Sequence, residues 1–242
     1  MARVIFIFAH QDDEIAAASR IRFVQRRGDA VTCLYLTDGA SRVLSHIRDA
    51  ESRRVLARLG VDDVRFIGSR EEIADGSLPE HLDRALELVE GEVDEAGEVV
   101  TLAWEGGHQD HDAAHLVAAV FARRRRVPCR EMPLYNGHGT PGSFFRVHHP
   151  IGEGWESRRI PRREKVENAL LSRFFRSQRM TWLGLMPLML LAPACELSRN
   201  ADPRRAETPP HRGQLLYERR FRYPYARFAS FAEPFLRRSL PG

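Results

Sequence analysis

The sequence predicts an α/β protein on a Rossmann-like, doubly wound and mostly parallel sheet, and three observations carry that reading. Four short runs rich in β-branched and aromatic residues alternate with four longer stretches of helical period. The first run, Val4-Ile5-Phe6-Ile7-Phe8-Ala9, is apolar at every position, as a strand covered on both faces requires. Gly28 and Gly60 stand where the first two helical stretches should stop.

Taken in order, the strand at Val4–Ala9 leads into a helix from Asp13 to Arg27. Val31–Leu36 and Leu44–Leu59 form the second pair, Val64–Ile67 and Pro79–Val93 the third, Val99–Trp104 and His111–Arg126 the fourth. Four consecutive β-α units give the strand order 3-2-1-4-5. Beyond Val127 the pattern loosens. Strands are expected at Met132–Tyr135 and Phe144–His148 and a helix at Arg162–Gln178, before a tail rich in Arg and Pro. This divides the chain into a core over 1–178 and an extension over 179–242 packed on it.

Composition narrows the class. A chain of 242 residues that is 43% apolar can bury a real core, which excludes disorder. The most apolar stretch, Met180 to Cys195, is shorter than the roughly 18–20 residues of a spanning helix and contains Pro187 and Pro193. The N-terminus lacks a basic, apolar and small-residue leader pattern, so the chain is read as cytoplasmic. Cys33, Cys129 and Cys195 are too far apart for a metal or disulfide framework. The net charge of +4 hides an asymmetry: 13 basic against 23 acidic residues up to His115, then 24 against 10.

Chemistry-bearing residues sit directly after strands 1 and 4. Ala9-His10-Gln11-Asp12-Asp13-Glu14 follows the first, and Gly106-Gly107-His108-Gln109-Asp110-His111 the fourth. In the predicted order these strands are neighbours, and the crevice at their carboxyl ends is where ligands bind such sheets. A catalytic zinc takes three His or carboxylate ligands and keeps one position open. His10 and Asp13, three apart, can converge on one ion, and His111 can close the set. Asp12 is then a free carboxylate able to accept a proton from water, and His108 is placed to protonate a leaving amine or stabilise an oxyanion. Asp110 would orient His108 from behind. Acidic residues also suit a helix N-terminus for electrostatic reasons alone.

These residues resemble the PIG-L/LmbE-like metal-dependent de-N-acetylases, which include the N-acetylglucosaminyl-phosphatidylinositol, mycothiol-pathway and bacillithiol-pathway deacetylases. The family signature Ala-His-Pro-Asp-Asp-Glu stands here as residues 9–14, and His-Pro-Asp-His as residues 108–111, each with glutamine in place of proline. The substitutions bear on loop rigidity more than on chemistry. Thr37-Asp38-Gly39, Arg48 and Glu51, Leu59-Gly60, and Ser177-Gln178 extend the resemblance over residues 3 to 178. It implies one divalent metal, Zn2+ or another, on His10, Asp13 and His111, with Asp12 as general base, His108 as general acid or oxyanion stabiliser, and Arg48 as a substrate contact. Arg48 could equally pair with a carboxylate of its own helix. A counterpart of the tyrosine that some members place near the oxyanion is not found before His108, where Gly106 and Gly107 stand.

The expected function is removal of an N-acetyl or other short N-acyl group from an amino sugar or glycoconjugate. The alternatives are a non-catalytic sugar- or nucleotide-binding protein and a metalloamidase for a larger acyl group. The partner is a small N-acetylated sugar conjugate, for which an anionic group or an apolar aglycone both remain open. So do peripheral membrane contact and homo-oligomers. No nucleic-acid recognition motif accompanies the arginine clusters at Arg123–Arg126, Arg158 to Arg163 and Arg219 to Arg222.

Overall fold

A computed structural model describes residues 1–39 and 42–240; the last two residues of the predicted extension therefore lie outside the described residues. Five parallel strands form the centre: β1 (Arg3–Phe8), β2 (Ala30–Tyr35), β3 (Asp63–Phe66), β4 (Glu98–Leu102) and β5 (Cys129–Met132). Their order is β3-β2-β1-β4-β5, as predicted. Two antiparallel strands continue the sheet beyond β5, β9 (Cys195–Asn200) and then β8 (Glu156–Arg159).

The continuous apolar run of β1 works by alternation. Ile5, Ile7 and Ala9 face α4 (Leu82–Glu92), α5 (Gln109–Arg125) and the C-terminal α9 (Tyr225–Ser239), in one buried cluster. Val4, Phe6 and Phe8 face α1 (Glu14–Arg26), α2 (Arg42–Arg58) and α7 (Arg179–Leu191), in another. All six are fully or almost fully buried, so β1 is the spine of both layers. β1 pairs with β2 and β4, Ile7 lying opposite both Leu34 and Thr101.

Several elements differ from expectation for local reasons. A short α3 (Ile67–Glu71) follows β3, and the third predicted helix opens as a 3-10 turn at Leu78–His81, with Pro79 supplying a fixed φ, before α4 begins. The strand expected at Met132–Tyr135 divides at Pro133, which lacks an N–H. β5 ends at Met132, and a short β6 (Tyr135–Asn136) pairs instead with β7 (Arg146–Val147). The helix expected over Arg162–Gln178 stops as α6 at Leu170, continues as 3-10 turns, and bends at Phe175. The tail contains β9, a 3-10 turn at Pro203–Glu207, α8 (Leu216–Arg220) and α9. Met180 to Leu191 lies within α7, with Trp182, Leu185 and Met189 buried and Met180, Leu183 and Leu191 exposed. Among the described residues no helix is long and apolar enough to cross a membrane.

The opposed charges of the two halves meet in ion pairs. Arg227 contacts Glu80 at 3.0 Å, Arg124 contacts Glu90 at 3.0 Å, and Arg238 reaches Asp83. Exposed pairs of this kind each contribute at most about 1 kcal/mol, so apolar packing fixes the C-terminal helix. Phe228 of α9 is fully buried against Trp104 and Tyr217. Phe228→Ala should therefore cost about 3–5 kcal/mol, read as a lowered urea midpoint; a loss under about 1 kcal/mol would show that α9 is not packed as described.

Candidate metal centre

The parallel pairing of β1 and β4 sends both histidine-bearing loops out of the same edge of the sheet. The first loop is held by its own carboxylates. Asp13 Oδ2 accepts the backbone N–H groups of Ala9 (3.1 Å) and His10 (2.9 Å). Asp12 adopts φ +122°, a conformation L residues rarely take and one that costs about 1–3 kcal/mol. Its N–H donates to Glu14 Oε2 at 2.9 Å, while Ser52 Oγ donates to Glu14 Oε1 at 2.7 Å. The fully buried Glu14, raised by burial to about 7, thus anchors the strained residue.

The glutamines that replace proline supply hydrogen bonds. Gln11 Nε2 donates to Asp49 Oδ1 (2.6 Å), Ser69 Oγ (3.2 Å) and the Thr37 carbonyl (3.4 Å). Gln109 Nε2 donates to the Gly76 carbonyl at 3.3 Å. Gly39 sits at φ +66°, which strains any L side chain, and a β-carbon there would also displace the Gln11 amide, whose Oε1 lies 2.0 Å from that position. Gly107 is needed for a similar reason, its β-carbon position being 2.1 Å from the Tyr135 carbonyl oxygen.

The loops bring three donors together. His10 Nδ1 lies 3.1 Å from His111 Nε2, His111 Nε2 lies 3.2 Å from Asp13 Oδ1, and His10 Nδ1 lies 4.0 Å from Asp13 Oδ2. A tetrahedral ion held at about 2.1 Å needs ligand separations of about 3.4 Å, so the set fits a divalent cation in spacing and in donor type. His10, His108 and Asp110 also lie close enough to share an ion. In that second set, however, His108 Nδ1 accepts the Asp110 N–H at 3.2 Å, and the Asp110 oxygens accept the Gly76 (2.6 Å) and Leu78 (3.1 Å) N–H groups. Its atoms are engaged elsewhere, which favours His10, Asp13 and His111.

Asp110 departs from the sequence expectation. Its carboxylate does not face His108; Oδ2 lies 3.1 Å from His10 Nε2, the ring nitrogen turned away from the donor set. The reason is the first turn of α5: His108 is its N-cap and uses Nδ1 on the Asp110 backbone, so the Asp110 side chain swings toward His10 and the 76–78 loop. A carboxylate behind a ligating imidazole fixes its tautomer and raises its basicity. With Nδ1 accepting, neutral His108 carries its proton on Nε2.

Burial pulls His10 down, but Asp75, Asp110 and Asp13 outweigh it and hold the imidazole well above its ordinary value. His108 is pushed well down, by burial and by its neighbours His10 and His111. Burial lifts the Asp12 carboxyl to about 6, against the pull of Arg48 and with the push of Asp13. Asp13 sits at about 2 despite burial, because His111 and His10 favour its charged form. Arg48 is buried, donates to the Gln11 carbonyl at 2.6 Å and lies 3.5 Å from Asp12 Oδ1. Its carboxylate partner is thus on the loop, not on its own helix. His115, one turn along α5, faces away toward the Leu102 carbonyl (3.1 Å) and Glu131 (3.2 Å).

A cavity of about 250 Å³ opens over the donors. It adds Asp75, Tyr135, Phe145 and Phe221, which the sequence reading missed. Asp75 lies 3.1 Å from His10 Nε2, and Tyr135 packs edge-on against His111 with ring centroids 5.4 Å apart. Phe145, Trp182, Leu185, Arg220 and Phe221 complete the walls. The Ala74-Asp75-Gly76 segment reads locally as a turn, and the other residues lie in the half where periodicity fails.

Asp110→Asn should weaken divalent-metal binding by about 10–100-fold, read by chelator competition on the folded protein. Unchanged affinity would place Asp110 outside the metal centre.

Residues 5–122 match the family model PIG-L, described as GlcNAc-PI de-N-acetylase. A search of curated proteins finds no match. Among solved structures, a deacetylase from the biosynthesis pathway of teicoplanin, in a bog complex, is similar with TM-score 0.62 at 15% identity, over 82% of this chain and 97% of that one. The zinc inhibited form of teicoplanin deacetylase Orf2 gives TM-score 0.60 at 15% identity, over 82% and 97%. N,N'-diacetylchitobiose deacetylase from Pyrococcus horikoshii gives 0.58 at 16%, over 86% and 84%. At such identities the likeness is one of fold.

Proposed function

We propose, from the match of residues 5–122 to the PIG-L family model, that the protein is a metal-dependent hydrolase that removes an N-acetyl group from an amino sugar or its conjugate. The convergence of His10, Asp13 and His111 on one point beside a strained, half-buried Asp12 carries the reading. The deacetylases among the similar structures support it.

His10, Asp13 and His111 would hold the cation, zinc or another divalent ion. When bound, such an ion polarises a carbonyl and lowers the pKa of water, to about 7 in well-matched sites. Asp12 takes a proton from the attacking water. Its carboxyl, lifted to about 6, is ionised at neutral pH yet basic enough to work. Arg48 and the Glu14 contact to its backbone hold it in place. As the water oxygen adds to the amide carbon, negative charge grows on the carbonyl oxygen, and the Nε2–H of neutral His108 donates to it. The C–N bond then breaks, and Asp12 returns the proton to the departing amine nitrogen, leaving acetate and a free amino sugar. Asp110 positions His10, and Arg48 also borders the cavity where the sugar binds.

The apolar wall made by Trp182, Leu185, Phe145 and Phe221 suits the less polar part of a conjugate, which favours glycosides over free sugars.

Acetate release from N-acetylglucosamine conjugates should disappear after chelation and return on adding a divalent cation. Metal bound without acetate release from any conjugate would favour the non-catalytic binding reading. Asp12→Ala should retain the metal while turnover falls by about 100- to 10,000-fold. Parallel loss of metal and activity would make Asp12 a ligand instead of the base.

A further inference from the structure

Two histidines outside the metal centre face each other with the spacing of ligands to a shared ion. His138, in the turn after β6, and His211, in the segment before α8, have ring centroids 5.0 Å apart and planes tilted by 46°. His10 and His111 in the candidate metal centre are also 5.0 Å apart, tilted by 59°. An ion held tetrahedrally by two imidazole nitrogens, each at about 2.1 Å, sets the ring centroids about 5.2 Å apart. Neither His138 nor His211 lines the cavity over the donors of the first centre.

The His211 ring is prepared for this role by its own backbone. Nδ1 lies 3.0 Å from the Arg212 carbonyl oxygen, which can only accept, so Nδ1 carries the proton and Nε2 the lone pair. Nε2 is buried and has no hydrogen-bond partner. One ring nitrogen donating to a carbonyl while the other is left bare is the arrangement that metal-ligating histidines adopt. Burial holds this imidazole below its ordinary value against the pull of the Arg212 carbonyl, so protons compete weakly for Nε2 at neutral pH. The charges nearby offset each other, Arg219 opposing a cation and Glu218 favouring one. The His138 side chain is exposed and, among the described residues, makes no hydrogen bond.

Both histidines are mounted on the loop between β4 and α5. The His138 N–H donates to Asn136 Oδ1 at 3.1 Å, and Asn136 Nδ2 donates to Glu105 Oε2 at 3.2 Å. On the His211 side, Trp104 Nε1 donates to the Thr208 carbonyl at 3.2 Å, and the Leu216 N–H to the Gly106 carbonyl at 2.9 Å. Residues 104–106 thus anchor both segments. Arg219 adds a direct tie, donating to the Gly137 carbonyl at 2.8 Å and to that of Thr140. The separation of the two rings is therefore set by the fold, which is the condition for a pre-organised site.

We infer that His138 and His211 form a second metal site, for Zn2+ or another late first-row divalent ion, separate from the His10, Asp13 and His111 centre. Among the described residues no third His, Cys, Asp or Glu completes the set, so the remaining positions go to water. Paired imidazoles without a carboxylate select zinc, nickel or copper over magnesium and calcium. Two protein ligands hold an ion less tightly than three, so this site fills after the first. Its occupancy staples the 208–215 segment to the connection between β6 and β7.

The test titrates Zn2+ into the metal-free, untagged full chain by calorimetry, beside His138→Ala and His211→Ala. The wild type should bind in a tighter and a weaker step. Each variant should lose the weaker step and keep the tighter one, and Mg2+ in place of Zn2+ should not give the weaker step. With the tighter site filled by Zn2+, added Cu2+ should show nitrogen couplings from two imidazoles by electron paramagnetic resonance, and from at most one in either variant. Filling the weaker site should also raise Tm in the wild type alone. A titration unchanged by His138→Ala overturns the inference. A loss confined to His211→Ala and accompanied by a lowered urea midpoint is a folding defect, and overturns it as well.

Discussion

Adjacency of β1 and β4 in one parallel sheet is the constraint on which the site depends. The two strands leave the sheet side by side, and loops separated by about a hundred residues in sequence emerge within hydrogen-bonding distance of each other. A parallel neighbour can be reached only through a crossover, and here the crossovers bury β1 on both faces. The five apolar residues of β1 and the Ala9 that follows are thus as much a part of the metal centre as its histidines, because they fix where His10 begins.

Gathering Asp12, Asp13, Asp75 and Asp110 in a largely buried space would be prohibitive without compensation. The structure spreads that charge over distinct partners. Asp13 is neutralised by His111 and two backbone N–H groups, Asp110 by His10 and the 76–78 loop, Asp75 by His10, and Asp12 by Arg48. Opposite outcomes for adjacent carboxyls follow, Asp12 lifted to about 6 and Asp13 held at about 2. Neighbouring groups with separated affinities can divide the work of binding a cation and carrying a proton.

The sheet was legible because its first strand is an unbroken apolar run, the next three are short runs rich in β-branched and aromatic residues, and the first two helices carry glycine stops. His10, Asp13 and His111 were legible because they fall at strand ends whose adjacency the order predicts. β8 and β9 were not, since Glu156-Ser157-Arg158-Arg159 and Cys195-Glu196-Leu197-Ser198-Arg199-Asn200 lack a simple apolar face. Arg158 pairs with Glu196 across the two strands, and Arg199 with Glu131 on β5, so ion pairs stand where alternating hydrophobic residues would have given a signal. Asp110 was recognised as belonging to the site, but the direction of its side chain depends on an N-cap that residue spacing does not specify. Asp75, Tyr135 and Arg220 come from three separate segments, and only tertiary packing joins them.

The glutamines at 11 and 109 bear on how this chain can change over time. A proline ring stiffens its loop by itself and leaves the neighbours free to vary. Gln11 instead ties the first loop to Asp49, Ser69 and the Thr37 carbonyl, and a β-carbon at Gly39 would displace its amide. Residues bound into one such network respond non-additively to substitution. A substitution at 11, 39, 49 or 69 is therefore felt at the others, and a lone proline at 11 would strand Asp49 and Ser69 without the amide they share. The loop's rigidity is an inheritance held jointly by three other segments of the chain.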